Sequence, residues 1–285
     1  MRNFKYYFQL SLIYIFALIS IAALFFLIYF VVKEAFPAII TLKLKPFTSV
    51  YWYPTYEPPE FGMLSLIVGT LFLTIFSSLI TIPLGYLISF YLHAYSKKRE
   101  KILIKYIISV LSGIPSVVIG AAILMYISPI LLDMGIWTTE NFLLATLGLS
   151  LLALPYSVTL MAESLDSVAI ELEESALALG ASKFITTLKI TTKSSINGII
   201  NAIILTFNRI IGETMVVLLV GGGAAIIPRS LFDPVKPLTA AIASEIGEAG
   251  VGSMHYHSLF LAGLILLIIS LLLTYYAKKR GRLNG

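Results

Sequence analysis

Six stretches of the chain carry hydrophobic residues with almost no charge among them: 6–32, 61–92, 106–132, 141–162, 194–228 and 258–277. Each is long enough to cross a hydrocarbon layer of about 30 Å, which takes about 20 helical residues. The pattern predicts six transmembrane helices. The first apolar stretch exceeds the roughly 7 to 15 residues of a signal-peptide core, so a retained anchor is expected. The second would reach about 48 Å at 1.5 Å per residue, and Pro83 and Gly85 lie within it. A kink, a tilt or an extension beyond the membrane is expected there. The third and fourth contain "GIPSVVIG" from Gly113 to Gly120 and the pair Leu154-Pro155. These permit close helix approach or local unwinding, and are equally compatible with ordinary Gly and Pro usage in membrane helices.

Composition narrows the class. Charged residues make up 12% of the chain and hydrophobic ones 58%, with a mean hydropathy of +0.94. Soluble domains carry about 25% charged residues, so a soluble globular protein is excluded. Without cysteine there is neither a disulfide framework nor a thiolate site. The net charge of +5 matters through its distribution and is no nucleic-acid footprint. With the N-terminus in the cytoplasm, the inner loops hold 14 Lys and Arg residues. The outer ones hold five: Lys33, Lys43, Lys45, Arg229 and Lys236. The positive-inside rule therefore predicts both termini in the cytoplasm of a cell-membrane protein.

Two polar segments interrupt the pattern. The outer loop 33–60 carries "VYWYPTYEPP", read as an interfacial aromatic belt, a rigid Pro-rich connector or a docking surface. The inner segment 163–195 predicts a helix from Val168 to Leu179, a Gly180 C-cap, and a second helix capped by Ser182 and continuing to Lys189. Ala169, Leu172, Ala176, Leu179 and Gly180 follow helical spacing. Membrane-surface helices favour Lys, Arg and bulky aromatics. This one is rich in Ala and Ser, with five acidic residues between Glu163 and Glu174, so a partner protein fits its apolar face better than lipid does.

The run Glu174-Ser-Ala-Leu-Ala-Leu-Gly180, followed by Ile190, resembles the EAA loop of ABC importer permeases. Ser175 stands at the second position and Thr192-Lys193 replace the usual closing Leu-Pro. The resemblance implies an all-α polytopic protein with six transmembrane helices and the type I (MetI-like) permease fold. It also assigns Glu174, Ser175, Ala176, Leu177, Ala178, Leu179 and Gly180 to contact with an ATPase. The chain has no GxxxxGK[ST] phosphate loop. No cofactor is therefore expected on this chain, and ATP and Mg belong to a separate subunit.

Arg209 and Glu213 are the charges that interrupt the fifth stretch. Four-residue spacing puts them on one helix face, about 6 Å apart along the axis. A lone arginine at mid-membrane costs on the order of 3 kcal/mol. Mutual neutralisation is one reading, but burying an ion pair often costs more than the attraction recovers. The other reading is functional: a guanidinium offers a planar fork for an oxyanion, with Glu213 and the Thr214 hydroxyl ordering it. A fixed positive charge along a water-filled path selects anions.

"RIIGETMVV", the Trp52 to Gly62 loop, "GIPSVVIG" and the tail from Pro237 to Leu266 together resemble the PstC-type permease of phosphate ABC importers over nearly the whole chain. This resemblance implies phosphate passage at Arg209 and Glu213. It further implies pairing with a PstA-like permease, two PstB-like ATPases and a PstS-like external binding protein. The chain divides on this reading into an N-terminal helix with its outer loop, 1–60, and a five-helix core, 61–285. A permease for sulfate or molybdate, a self-contained anion channel and an intramembrane enzyme are the alternatives. His255-Tyr-His257 is read as interfacial in preference to a metal pair, because no third ligand accompanies it in sequence.

Overall fold

A computed structural model describes the backbone of residues 2–136 and 138–282, and the side chains of residues 10–136 and 138–279. Helix α1 runs Arg2–Leu42, so the first span continues beyond residue 32 and the expected outer loop begins about ten residues later than its charges suggested. Inside the helix Lys33 stays exposed, while the Glu34 carboxylate lies 3.6 Å from His257 Nδ1 of α14 and the Glu34 backbone carbonyl accepts from that nitrogen at 2.8 Å. A short helix α2, Lys45–Thr48, leads to a two-stranded hairpin of β1, Trp52–Tyr53, and β2, Glu60–Phe61, with Trp52 opposite Phe61.

Next come α3, Leu64–Ala94, and α4, Lys98–Ser112. Helix α5, Ser116–Ala122, passes through a π-helical turn at Ile123–Ile127 into α6, Ser128–Asp133. The third expected span therefore starts at Ser116 and not at residue 106. Pro115, which has no N–H to donate, separates α4 from it as an independent helix with no buried side chain. Helix α7 runs Phe142–Asp166, its start capped by Asn141, which accepts from Leu144 N at 3.0 Å.

The polar segment forms α8, Ile170–Ala178, then α9, Lys183–Ile185, a π-helical turn at Thr186–Thr191, and α10, Thr192–Ser194. Its second helical part thus continues five residues beyond Lys189. Gly180 takes φ +86°, the left-handed conformation a helix-ending glycine adopts readily. Ser182 caps α9 as expected, accepting from Ile185 N.

Helix α11, Ile196–Ile211, lies at 74° to the 183–194 segment. The stretch 194–228 is not one helix. A break at 212–214 separates α11 from α12, Met215–Val220, after which the chain turns extended and returns. On the return, Val235 N bonds Gly221 O, while the Asp233 and Leu231 carbonyls accept from Phe142 N and Leu143 N. Those are two of the N–H groups that the first turn of a helix leaves unpaired. A short helix α13, Leu238–Glu245, and the long α14, Met254–Arg282, complete the chain. Among the described residues five helical spans are long and apolar enough to cross a membrane, with α11 and its bent lead-in as the sixth.

Packing centres on α3 against α7. Lipid tails are as apolar as leucine, so membrane helices associate through close packing and hydrogen bonds of about 0.6 kcal/mol each. Both are present. Ser77 Oγ donates to Thr146 O and Ser150 Oγ to Ser77 O, both at 3.2 Å, and Ser89 Oγ donates to Val158 O at 3.0 Å. Gly85 lies so near Ser157 that a Cβ would sit 2.6 Å from its Oγ. One apolar core gathers Leu144, Leu149, Val216 and Val217 between α7 and α12, and a second joins Ala35, Trp52, Met63, Leu238 and Leu259 across α1, the hairpin, α13 and α14.

Candidate functional site

Arg209 sits in the last turn of α11, and Glu213 lies beyond the helix end, in the break before α12. The pair meets without sharing one continuous helix, as the spacing had suggested it would. Arg209 Nη1 donates to Glu213 Oε2 at 2.8 Å. The other carboxylate oxygen accepts from Met215 N at 3.2 Å, the first residue of α12. Glu213 thereby occupies the electropositive start of a helix, where a carboxylate is favoured. Its backbone is held too: Thr239 Oγ1 of α13 donates to Glu213 O at 2.9 Å, and Leu238 N donates to Thr70 Oγ1 of α3 at 3.0 Å.

Exposure divides the pair. The Glu213 side chain is 6% exposed and that of Arg209 is 40% exposed. Glu213 is thus committed to Arg209 and to the backbone, whereas most of the guanidinium donors stay open. Thr214 is half-buried, with its hydroxyl near Gly212 O at 3.5 Å and its carbonyl accepting from Leu218 N. The three residues form one corner, with Arg209 about 20 Å along the axis from the start of α11.

The second candidate region is at the other end of the bundle. Helix α8 has no buried side chain, and Leu179 is 90% exposed. Glu174, Ser175, Leu177 and Ala178 are exposed and Ala176 is half-buried. An apolar helical face with nothing of its own chain over it is what a partner surface requires. Thr192, at the first position of the replaced Leu-Pro, bonds Thr187 O at 2.8 Å through its hydroxyl and meets Tyr86 OH at 2.8 Å.

Several polar residues that spacing alone did not single out act in the fold. Glu245 collects Trp52 Nε1 at 3.0 Å, His255 Nε2 at 2.8 Å and Lys236 Nζ, tying the hairpin to α13 and α14. His255 and His257 thus serve separate contacts, with Glu245 and Glu34. Glu173 in α8 and His93 in α3 also pair. A histidine and a tryptophan adjoining long apolar runs were the available signals, but their partners lie 80 and 193 residues away in sequence.

The chain is thus a bundle of helices long and apolar enough to cross a membrane, with an ion pair at the break between α11 and α12 and a bare helix at one end. Residues 81–279 match the family described as binding-protein-dependent transport system inner membrane component, and the chain belongs to that family. It is similar to the probable ABC transporter permease protein YqgH of Bacillus subtilis (strain 168), at 31% identity over 93% of this chain and 88% of that one. It is likewise similar to the phosphate transport system permease protein PstC of Mesorhizobium japonicum, at 30% identity over 85% and 79% of the two chains. The probable PstC of Methanocaldococcus jannaschii is 27% identical over 86% of this chain and 85% of its own. A chain of the bacterial alginate ABC transporter superposes with a TM-score of 0.68 at 14% identity, covering 95% of this chain and 94% of that one. One from the inward-facing MetNI methionine transporter gives 0.60 at 18%, over 79% and 97%. The fold is the expected MetI-like one, and the protein is a multi-pass ABC importer permease, a transport subunit and not an enzyme.

Proposed function

We propose that this permease carries inorganic phosphate, with Arg209 as the anion-binding group of its path. The observation that carries the reading is the division of labour in the pair. Glu213 is buried and doubly held, while Arg209 keeps an open guanidinium. A fully neutralised structural pair would bury both ends. An orienting carboxylate leaves the fork free for a tetrahedral oxyanion and limits how tightly the anion is held. Relatives named as phosphate permeases, similar over most of the chain, support the choice of anion.

In this reading both termini are cytoplasmic, and a second, PstA-like permease closes the path opposite Arg209. Two PstB-like ATPase subunits bind ATP and Mg and grip α8 through Glu174 to Gly180. A PstS-like external protein delivers phosphate, and ATP-driven closure of the ATPases moves α8 and reorients the cavity. The test is ATP-dependent uptake of labelled phosphate, with excess sulfate as competitor, by the copurified complex in proteoliposomes. Uptake that sulfate does not inhibit and that Arg209→Gln removes is expected. A complex that hydrolyses ATP but takes up sulfate or molybdate instead would replace phosphate as the substrate.

A further inference from the structure

A second charged cluster lies where α3, α4, α7 and α8 meet, far from Arg209. His93, in the last turn of α3, has a side chain only 12% exposed. Its Nδ1 is 2.9 Å from Asp166 Oδ1, the last residue of α7. Its Nε2 is 2.7 Å from Glu173 Oε1 of α8. The same Glu173 oxygen accepts from Thr191 Oγ1 at 2.7 Å, and Asp166 Oδ2 faces Lys101 and Lys105 of α4 at 3.2 and 3.6 Å. Both ring nitrogens therefore face carboxylate oxygens, one at the end of α7 and one on α8. Remove the ring, and the two acids on separate helices lose the group that lies between them.

Apart from this contact, helix α8 packs on the π-helical turn at Thr186–Thr191 that follows it in the chain. It buries no side chain, and non-helical turns flank it at 167–169 and 179–182. A helix held only to its own following turn would swivel with that turn when pushed and lose the displacement. We propose that His93 is a positioning residue that clasps α8 to the core. A movement imposed on α8 then passes into α3 and α7 instead of being absorbed at the flanking turns. This rests on the reading of α8 as the ATPase contact.

Two shorter amides separate the arms of the clasp. The glutamine amide nitrogen can take the place of Nε2, facing Glu173, and the asparagine nitrogen the place of Nδ1, facing Asp166. In the full complex, His93→Ala and His93→Asn should raise the ATP hydrolysed per phosphate imported about tenfold, as expected for losing one charge-assisted hydrogen bond. His93→Gln should stay close to wild type. Equal losses in the Asn and Gln variants would move the role to the α3–α7 joint and overturn the proposal, as would wild-type ratios in all three.

A readout free of the substrate comes from spin labels at Leu79→Cys and Ile170→Cys, both exposed positions in a chain without cysteine. The label distance should hold constant between nucleotide states with His93 and change with Ala or Asn. If the wild-type complex imports no phosphate yet shows that dependence on His93, the choice of anion fails and the clasp stands. A label distance indifferent to His93 refutes the clasp whatever the solute.

Discussion

Removing either member of the Arg209–Glu213 pair should not cost the same, and the difference follows from which charge is left behind. Arg209→Gln strands a carboxylate that is 6% exposed with one remaining donor, Met215 N. Breaking a buried pair from one side costs about 3–5 kcal/mol. The partner lost here was itself half-solvated, so the lower end, about 3 kcal/mol, applies. Glu213→Gln keeps an acceptor for Met215 N and strands a guanidinium that is 40% exposed, reachable by water along the proposed path. That costs about 1 kcal/mol, the scale of one hydrogen bond net of solvation. The double replacement leaves two neutral amides within reach of each other and should also cost about 1 kcal/mol. Its non-additivity, about 3 kcal/mol, is the interaction energy of the pair.

The assay is thermal unfolding and subunit retention of the purified complex in detergent for the two single variants and the double, beside phosphate uptake. Expected is an order in which Arg209→Gln is the least stable and the double variant recovers most of the loss while importing nothing. That combination would separate the anion-binding role of Arg209 from its part in stability, which the single variant confounds. Were Glu213→Gln the more damaging change, or the two losses simply additive, the inference from unequal burial would be wrong.

Other replacements probe the frame around the site. Gly85→Val puts its first side-chain carbon 2.6 Å from Ser157 Oγ, so α3 and α7 should separate at a cost of about 1–3 kcal/mol, read as a lower melting temperature. Leu179→Ser removes a side chain that is 90% exposed; stability should change by less than about 0.5 kcal/mol while ATPase copurification falls. Asn141→Ala deletes the cap of α7 and should cost about 1 kcal/mol in denaturant unfolding.

Much of the architecture was legible because a bilayer imposes one rule on every segment: spanning backbone must satisfy its own hydrogen bonds. A long uncharged run is therefore a helix whatever it packs against, which is why α3, α7 and α14 lie where the apolar stretches predicted. The ends were less legible. The charges at residues 33 and 34 suggest the start of a loop, yet α1 continues to Leu42, with Glu34 meeting His257 on a helix more than two hundred residues away. The start at Ser116 was concealed because Pro115 interrupts an unbroken apolar run.

By itself the sequence determined the membrane class, the three candidate pathway residues and the loop that became α8, since length, charge and local spacing suffice for these. Only the tertiary structure decided that the fifth run breaks at 212–214, that α13 closes over Glu213 through Thr239, and that His93 links α7 to α8. Each depends on a hydrogen-bond partner distant in sequence, and a polar group's partner is set by where the packed helices place it, not by its neighbours along the chain.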